Sequence, residues 1–229
     1  MNCNGVVLRS RTLRLRSLSL AILSAEGLQH LVLPSAGQGA PVMGKRYAFE
    51  LRPPLIKSFT AIDNYRPANF TRLGLDSLIC EFLCRLSRDA DLSELYPSVW
   101  SYFGSSEGSL RHHFLAFYID FVRFTGTGEY TRQCPCCQGN VKSYIVNSSG
   151  VACQECGNTR DSVCFTLEES SLLHFGTTAS PRVWQRVIIS DDLFQSLQER
   201  VVAHLGFYVG HLRSIVTANQ FTPISRRTI

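Results

Sequence analysis

The chain has 229 residues, of which 45% are hydrophobic and 18% charged, and a formal net charge of +5. That composition is too apolar for a disordered chain and predicts a folded protein of one large or two small domains. No apolar run approaches the roughly 18 residues needed to cross a bilayer, since 119–124 is broken by Asp120 and Arg123 and 201–208 by His204.

Arg9, Arg11, Arg14 and Arg16 all precede the first acidic residue, Glu26, a feature shared with organellar transit peptides. Alternation of Val, Leu and Ile with Arg or Ser through 6–8 and 13–23 points instead to a half-buried strand pair. There is no secretory h-region with a cleavage site, so a cytoplasmic setting with reduced thiols is expected. The positive charge is concentrated at one end. Residues 1–72 carry ten Lys or Arg against Glu26, Glu50 and Asp63, a net +7, and residues 73–229 carry a net −2. A basic first module suits a polyanionic partner, because neutralised phosphates release condensed counterions. A solvated basic face is the competing reading.

Residues 5–9, 13–24, 28–34, 47–51 and 55–62 read as short strands separated by turn residues. Ala25-Glu26-Gly27 supplies a tight turn, and 35–41 a Gly-rich loop. Five strands within 1–72 predict a small OB-type barrel, a fold that often binds oligonucleotides and sometimes proteins or sugars. Beyond Arg72 the hydrophobic period lengthens to that of a helix. Leu75, Leu78, Ile79, Phe82, Leu83 and Leu86 form one apolar stripe, and Leu92 to Phe103 a second in which Pro97 marks a kink or break. A third helix is expected over 110–124 with Ser109 as N-cap and glycines 126 and 128 after it. Thr166 and Glu169 predict a capping box for a helix over 167–175 stopped by Gly176, and a last helix starts near Ser190. The fold class is therefore α+β: a barrel over 1–72, then a helical domain over 73–229.

The helical domain is interrupted at about 133–165 by a segment holding six of the nine cysteines. Cys134-x2-Cys137 and Cys153-x2-Cys156 have the spacing of a four-cysteine site, each pair converging from one tight turn and together completing a tetrahedron. One structural zinc ion is the expectation, with a redox dithiol and free buried thiols as the competing readings. Four thiolates leave no position for a catalytic water. Cys136 could replace Cys137, though Cys-x-Cys is a less usual turn, and Cys164 is a weaker reserve. His112 and His113 are adjacent on a helix, so they diverge by about 100 degrees and cannot chelate together; surface or capping roles are expected. His204 and His211 could share a face, where core packing is the simpler reading. No phosphate loop, dinucleotide fingerprint, metalloprotease motif or nucleophile elbow occurs, so no enzyme is predicted.

The opening Gly5-Val6-Val7-Leu8-Arg9-Ser10, the Ala25-Glu26-Gly27-Leu28 turn and the helix of 114–126 running into Cys134-x2-Cys137 resemble the RecO family of bacterial recombination mediators. So do Gly150-Val151-Ala152-Cys153-x2-Cys156 and the segment from His204-Leu205-Gly206 to Ser214. The resemblance spans the chain. It departs at 34–40, where the family often carries a basic loop and this chain has no charge before Lys45 and Arg46, and at Arg14-Leu15-Arg16, where the family often has an acidic residue. The resemblance implies a non-enzymatic, nucleoid-associated DNA-repair protein with a structural zinc. Such a protein binds single- and double-stranded DNA, anneals complementary strands, and with RecR helps RecA onto DNA coated by single-strand-binding protein. Arg9, Arg11, Arg14, Arg16, Lys45, Arg46, Lys57 and Arg66 would then contact phosphates. Tyr47, Phe59 and Tyr65 are either stacking platforms or core. The alternative is a zinc-ribbon adaptor that binds protein and not DNA.

Overall fold

A computed structural model describes residues 1–13, 17–34, 39–63, 69–86, 90–147, 149–157 and 162–210. They form two compact units, Met1–Glu107 and Gly108–Gly210.

The first unit opens with β1 (Asn2–Thr12), β2 (Leu18–Ser24), β3 (Gly27–Leu33), β4 (Arg46–Arg52) and β5 (Leu55–Ala61), closed into a barrel in the order β1-β2-β3-β5-β4. Every pairing is antiparallel except β3 with β5, which is parallel and held at Val32–Leu55. This is the expected OB-type topology, and period-two alternation builds it. On β4, Tyr47, Phe49 and Leu51 point inward while Ala48, Glu50 and Arg52 stay exposed. They meet Val7, Leu20, Ile22, Leu31 and Ile56 in the barrel core. Register shifts at Val7/Arg9 and at Glu50/Leu51 supply the local bend that closure of five strands requires. At Gly5 a Cβ would lie 2.5 Å from Ile22 Cγ2 and 3.0 Å from the Leu23 carbonyl oxygen, so the packed Ile22 side chain leaves no room for one.

Two helices, α1 (Phe70–Leu86) and α2 (Tyr96–Phe103), pack on β1. Their apolar stripes explain why Val6 and Leu8 are buried although they lie outside the barrel core. The first compact unit thus runs past the expected boundary at residue 72. Pro97 sits in the first turn of α2, where its missing N–H costs nothing, and Ser93–Leu95 forms a separate 3-10 turn. Under these helices Arg72 and Asp76, each 3% exposed, pair at 3.0 Å. Arg72 also donates to the Tyr102 and Ser105 carbonyls, and the Tyr102 hydroxyl donates to Asp76 at 2.8 Å. Burial of the pair is tolerated because its polar atoms are satisfied.

The second unit is built around α3 (Leu110–Phe124), whose Phe114, Leu115, Phe117, Tyr118, Phe121 and Val122 are all buried. Ser109 precedes it but makes no capping bond through its side chain. The capping box of α4 (Leu167–Thr178) forms as expected, Glu169 N–H to Thr166 Oγ1 and Thr166 N–H to Glu169 Oε2. Gly176 does not stop that helix. It lies within the last turn, where a Cβ would meet Ile119 and Trp184, so its small size serves packing. A short α5 (Pro181–Trp184) and the long α6 (Asp191–Val209), N-capped by Ser190, complete the helices. His112 is not a surface residue. It packs edge-on against Trp184, and its Nε2 lies 2.8 Å from the Val187 carbonyl. His211 lies outside the described residues.

His204 is fully buried, with Nδ1 2.8 Å from the Tyr118 hydroxyl, which in turn accepts from Tyr130 at 2.6 Å. Burial holds the imidazole neutral and lowers its pKa from 6.5 to about 4. The native state therefore binds fewer protons than the unfolded chain between those values, so stability is complete above pH 6.5 and falls as the pH drops toward 4. The loss attributable to this residue should be on the order of 3 kcal/mol. Denaturant melts of the wild type and of His204→Gln between pH 7 and pH 4 test it: the gap between the two curves should narrow with acid, and parallel curves would exclude His204 as the titrating group.

Candidate metal centre

The four-cysteine element is a three-stranded sheet flanked by two turns. β6 (Tyr144–Asn147) and β7 (Gly150–Cys153) form the expected hairpin, and β8 (Val163–Cys164) adds along β6. Gly150 occupies φ +137°, and a Cβ there would lie 2.4 Å from the Thr127 carbonyl oxygen, so the hairpin turn accepts only glycine. The first cysteine pair lies in the loop before β6, and the second begins at the end of β7. The antiparallel register sets Cys153 opposite Tyr144, beside the first turn.

Both turns close in the same way. Gln138 N–H donates to the Cys134 carbonyl at 2.9 Å, and Gly157 N–H donates to the Cys153 carbonyl at 2.8 Å, four residues on in each case. The fifth position of each turn is constrained. Gln138 takes φ +61°, and at Gly157 a Cβ would lie 2.8 Å from the Ile145 Cβ. Cys134 N–H further donates to the Gly139 carbonyl at 2.9 Å, and a bridge pairs Gln133 with Asn140.

The result gathers Cys134, Cys137, Cys153 and Cys156 with their sulfurs all within 4.8 Å of one another. Cys137 and Cys153 Sγ are 3.7 Å apart. A tetrahedral ion bound at about 2.3 Å has sulfur–sulfur edges of about 3.8 Å, so the arrangement needs only small side-chain adjustments to hold one. Cys134 is buried, Cys153 half-buried, and Cys137 and Cys156 exposed. Burial alone would raise the Cys134 thiol. Hydrogen bonds from the backbones of Cys137, Cys153 and Cys136 outweigh it and bring the pKa from 9.0 to about 6. The Cys153 amide reaches that sulfur at 3.4 Å. Cys134 therefore favours the thiolate a metal requires, whereas hydrogen bonding with Cys137 and Cys153 raises the Cys156 thiol and Cys137 is also shifted up. Cys136 is exposed in the first turn and outside the group of four, and Cys164 lies on β8, also outside it.

Of the eight basic residues singled out from sequence, the five that are described (Arg9, Arg11, Lys45, Arg46 and Lys57) do not share one surface. Arg9 and Arg11 are exposed on β1, two residues apart. Arg9 stands opposite Ala21, and Ala21 opposite His30; Arg11 stands opposite Ser19, and Ser19 opposite Val32. They thus head two cross-strand rows on the outside of β1, β2 and β3. Lys45 is half-buried, its ammonium 5.7 Å from the Tyr47 ring. Arg46 pairs with Asp63 at 2.6 Å and covers the Trp100 ring at 4.8 Å, so its charge is spent inside the unit. Lys57 pairs with the exposed Glu50 at 3.1 Å. Arg14, Arg16 and Arg66 lie outside the described residues, as does Tyr65. Tyr47 is a core residue whose hydroxyl accepts from Val42 N–H, and Phe59 packs against its ring. His30 joins the row headed by Arg9 and was not anticipated; only the strand register reveals it.

Among the described residues no helix is long and apolar enough to cross a membrane. No family model and no curated protein sequence matches this chain.

Proposed function

We propose that this protein is a non-enzymatic, DNA-binding recombination mediator of the RecO kind, with a zinc ion holding its second unit together. The observation that carries this reading is the pair of cross-strand rows on β1, β2 and β3 of a closed five-stranded barrel, one running from Arg9 to His30 and the other headed by Arg11. Barrels of this type bind oligonucleotides on the face of their second and third strands and through the loop joining the first two. Arg14 and Arg16 fall between β1 and β2 in the sequence, outside the described residues. Exposed arginines on a strand face neutralise phosphates without reading bases, which suits largely sequence-independent binding. Zinc is the metal we assign, since four thiolates in a tetrahedron select a soft ion and two Cys-x-x-Cys turns are its usual frame. On this reading the protein anneals complementary strands and works with RecR, RecA and single-strand-binding protein.

Fluorescence anisotropy on a labelled single-stranded oligonucleotide at several salt concentrations tests the assignment. Replacing Arg9 and Arg11 together by Gln should reduce the slope of log affinity against log salt by roughly 1.4, two phosphate contacts' worth for a single strand. An unchanged slope would reject this face. Absence of any DNA binding by the metal-loaded wild type would favour a zinc-ribbon adaptor that contacts protein.

A further inference from the structure

A second candidate contact for an anionic strand lies in the second unit. The bridge between Gln133 and Asn140 and the bond from Val141 N–H to the Arg132 carbonyl (2.8 Å) set Arg132 beside Val141. Val141 is buried while Arg132 and the following Lys142 are exposed. Both cations line a hollow of about 270 Å³ whose other wall is α4. Neither forms an ion pair among the described residues, and no carboxylate is among the residues lining the hollow. The hollow itself therefore presents positive charge, in a part of the chain whose net charge is negative.

The α4 wall supplies hydrogen-bonding groups and an aromatic ring. Ser171, His174 and Phe175 follow one another at helical spacing and face the same hollow. The Ser171 hydroxyl donates to the Leu167 carbonyl, which leaves its lone pairs free. His174 Nδ1 bonds the Tyr130 carbonyl at 2.8 Å, so it carries the proton there, and Nε2 is the ring nitrogen left for a ligand. Phe175 rests against Trp184 at 6.4 Å between ring centroids and is still 39% exposed. The wall is fixed to the sheet by the bond from Tyr144 N–H to Ser170 Oγ at 3.0 Å. Two free cations, an imidazole and an exposed ring around one hollow match a phosphodiester with its attached base.

We propose that Arg132, Lys142, His174 and Phe175 form a second contact for single-stranded nucleic acid, the two cations taking a phosphate, Phe175 stacking on a base and His174 Nε2 accepting from an N–H of that base. This contact does not depend on the barrel face, although the two together would let one strand bind both units. Salt-dependent anisotropy of a labelled oligothymidine on the full-length, metal-loaded protein tests it. Arg132→Gln with Lys142→Gln should lower the salt slope by roughly 1.4, and Phe175→Ala should weaken binding roughly five- to a hundredfold. Arg186→Gln, a change of exposed charge elsewhere in the unit, should do neither. Metal content and melting temperature, unchanged in all three, establish that the fold is intact. Slope and affinity within twofold of wild type in the double variant would overturn the proposal, as would thymidine monophosphate competing as well, per mole, as the oligonucleotide, which would make the hollow a nucleotide pocket. Loss confined to Arg9 and Arg11 sinks this second contact alone, whereas loss confined to Arg132 and Lys142 sinks the barrel face and leaves this contact standing.

Discussion

Cys134→Ser, or removal of the metal with a strong chelator, should unfold the four-cysteine element of the full-length protein and destabilise the second unit around it. Cys134 is the buried member of the four, and its sulfur ties the first turn to the Cys153 amide. Structural zinc sites in small peptides bind with apparent free energies of about 10–16 kcal/mol, comparable to the whole stability of a domain, about 5–15 kcal/mol. A hairpin of two four-residue strands with a two-residue third strand has little core of its own to compensate. Limited proteolysis should then cut within 108–210 while a barrel fragment survives. Cys136→Ser should retain one metal per chain and an unchanged melt, because that thiol lies outside the group of four. Metal-stripped protein that melts like the loaded form would dispose of the assignment, and so would loss of metal from the Cys136 variant alone.

Asp76→Ala is expected to be nearly as damaging, by a different route. The substitution leaves the Arg72 guanidinium 3% exposed without its carboxylate and leaves the Tyr102 hydroxyl without its acceptor. Breaking a buried pair from one side costs about 3–5 kcal/mol, because the remaining charge stays in a medium of low dielectric. Replacing both members by apolar residues of similar size, Arg72→Met with Asp76→Leu, should recover most of that loss. Chemical denaturation of the three proteins decides the matter. A single variant within about 1 kcal/mol of wild type would mean that solvent reaches the pair.

Local signals in the sequence carried much of this architecture. The alternation through Tyr47, Phe49 and Leu51 and the helical stripe from Leu75 to Leu86 both announce their elements. The Thr166–Glu169 capping box and the two Cys-x-x-Cys turns involve neighbours within a few residues, so their chemistry is written locally. What was not legible depends on partners far along the chain. Val6 and Leu8 look like ordinary strand residues, and nothing nearby says that α1 and α2 cover the outside of β1. His112 reads as a surface residue because Trp184 and Val187, more than 70 residues away, provide its surroundings. Gly176 reads as a stop because helices often end at glycine, whereas here Ile119 and Trp184 need the space. The two-residue β8 is too short to show a period.

Charge gave the least transferable reading. Arg46 and Arg9 are equivalent on a composition count, yet Asp63 and Trp100 occupy Arg46 while Arg9 stays in solvent. Strand register separated them and brought His30 into line with Arg9. The same long-range placement makes Arg132 and Lys142 neighbours across a bridge in a region whose overall acidity hides them.

The barrel is fastened unevenly around its circumference. Four of its seams run through five or more residue pairs each, but β3 meets β5 at Val32–Leu55 alone, supported by the bond from Val32 N–H to the Pro54 carbonyl at 2.9 Å. Thermal excursions of the cylinder will part along that line first, because fewest hydrogen bonds must break there. On the proposed reading, a nucleic-acid strand on β1, β2 and β3 would lie to one side of this seam, and opening there would leave the pairing of β1 with β2, which holds the arginines, intact.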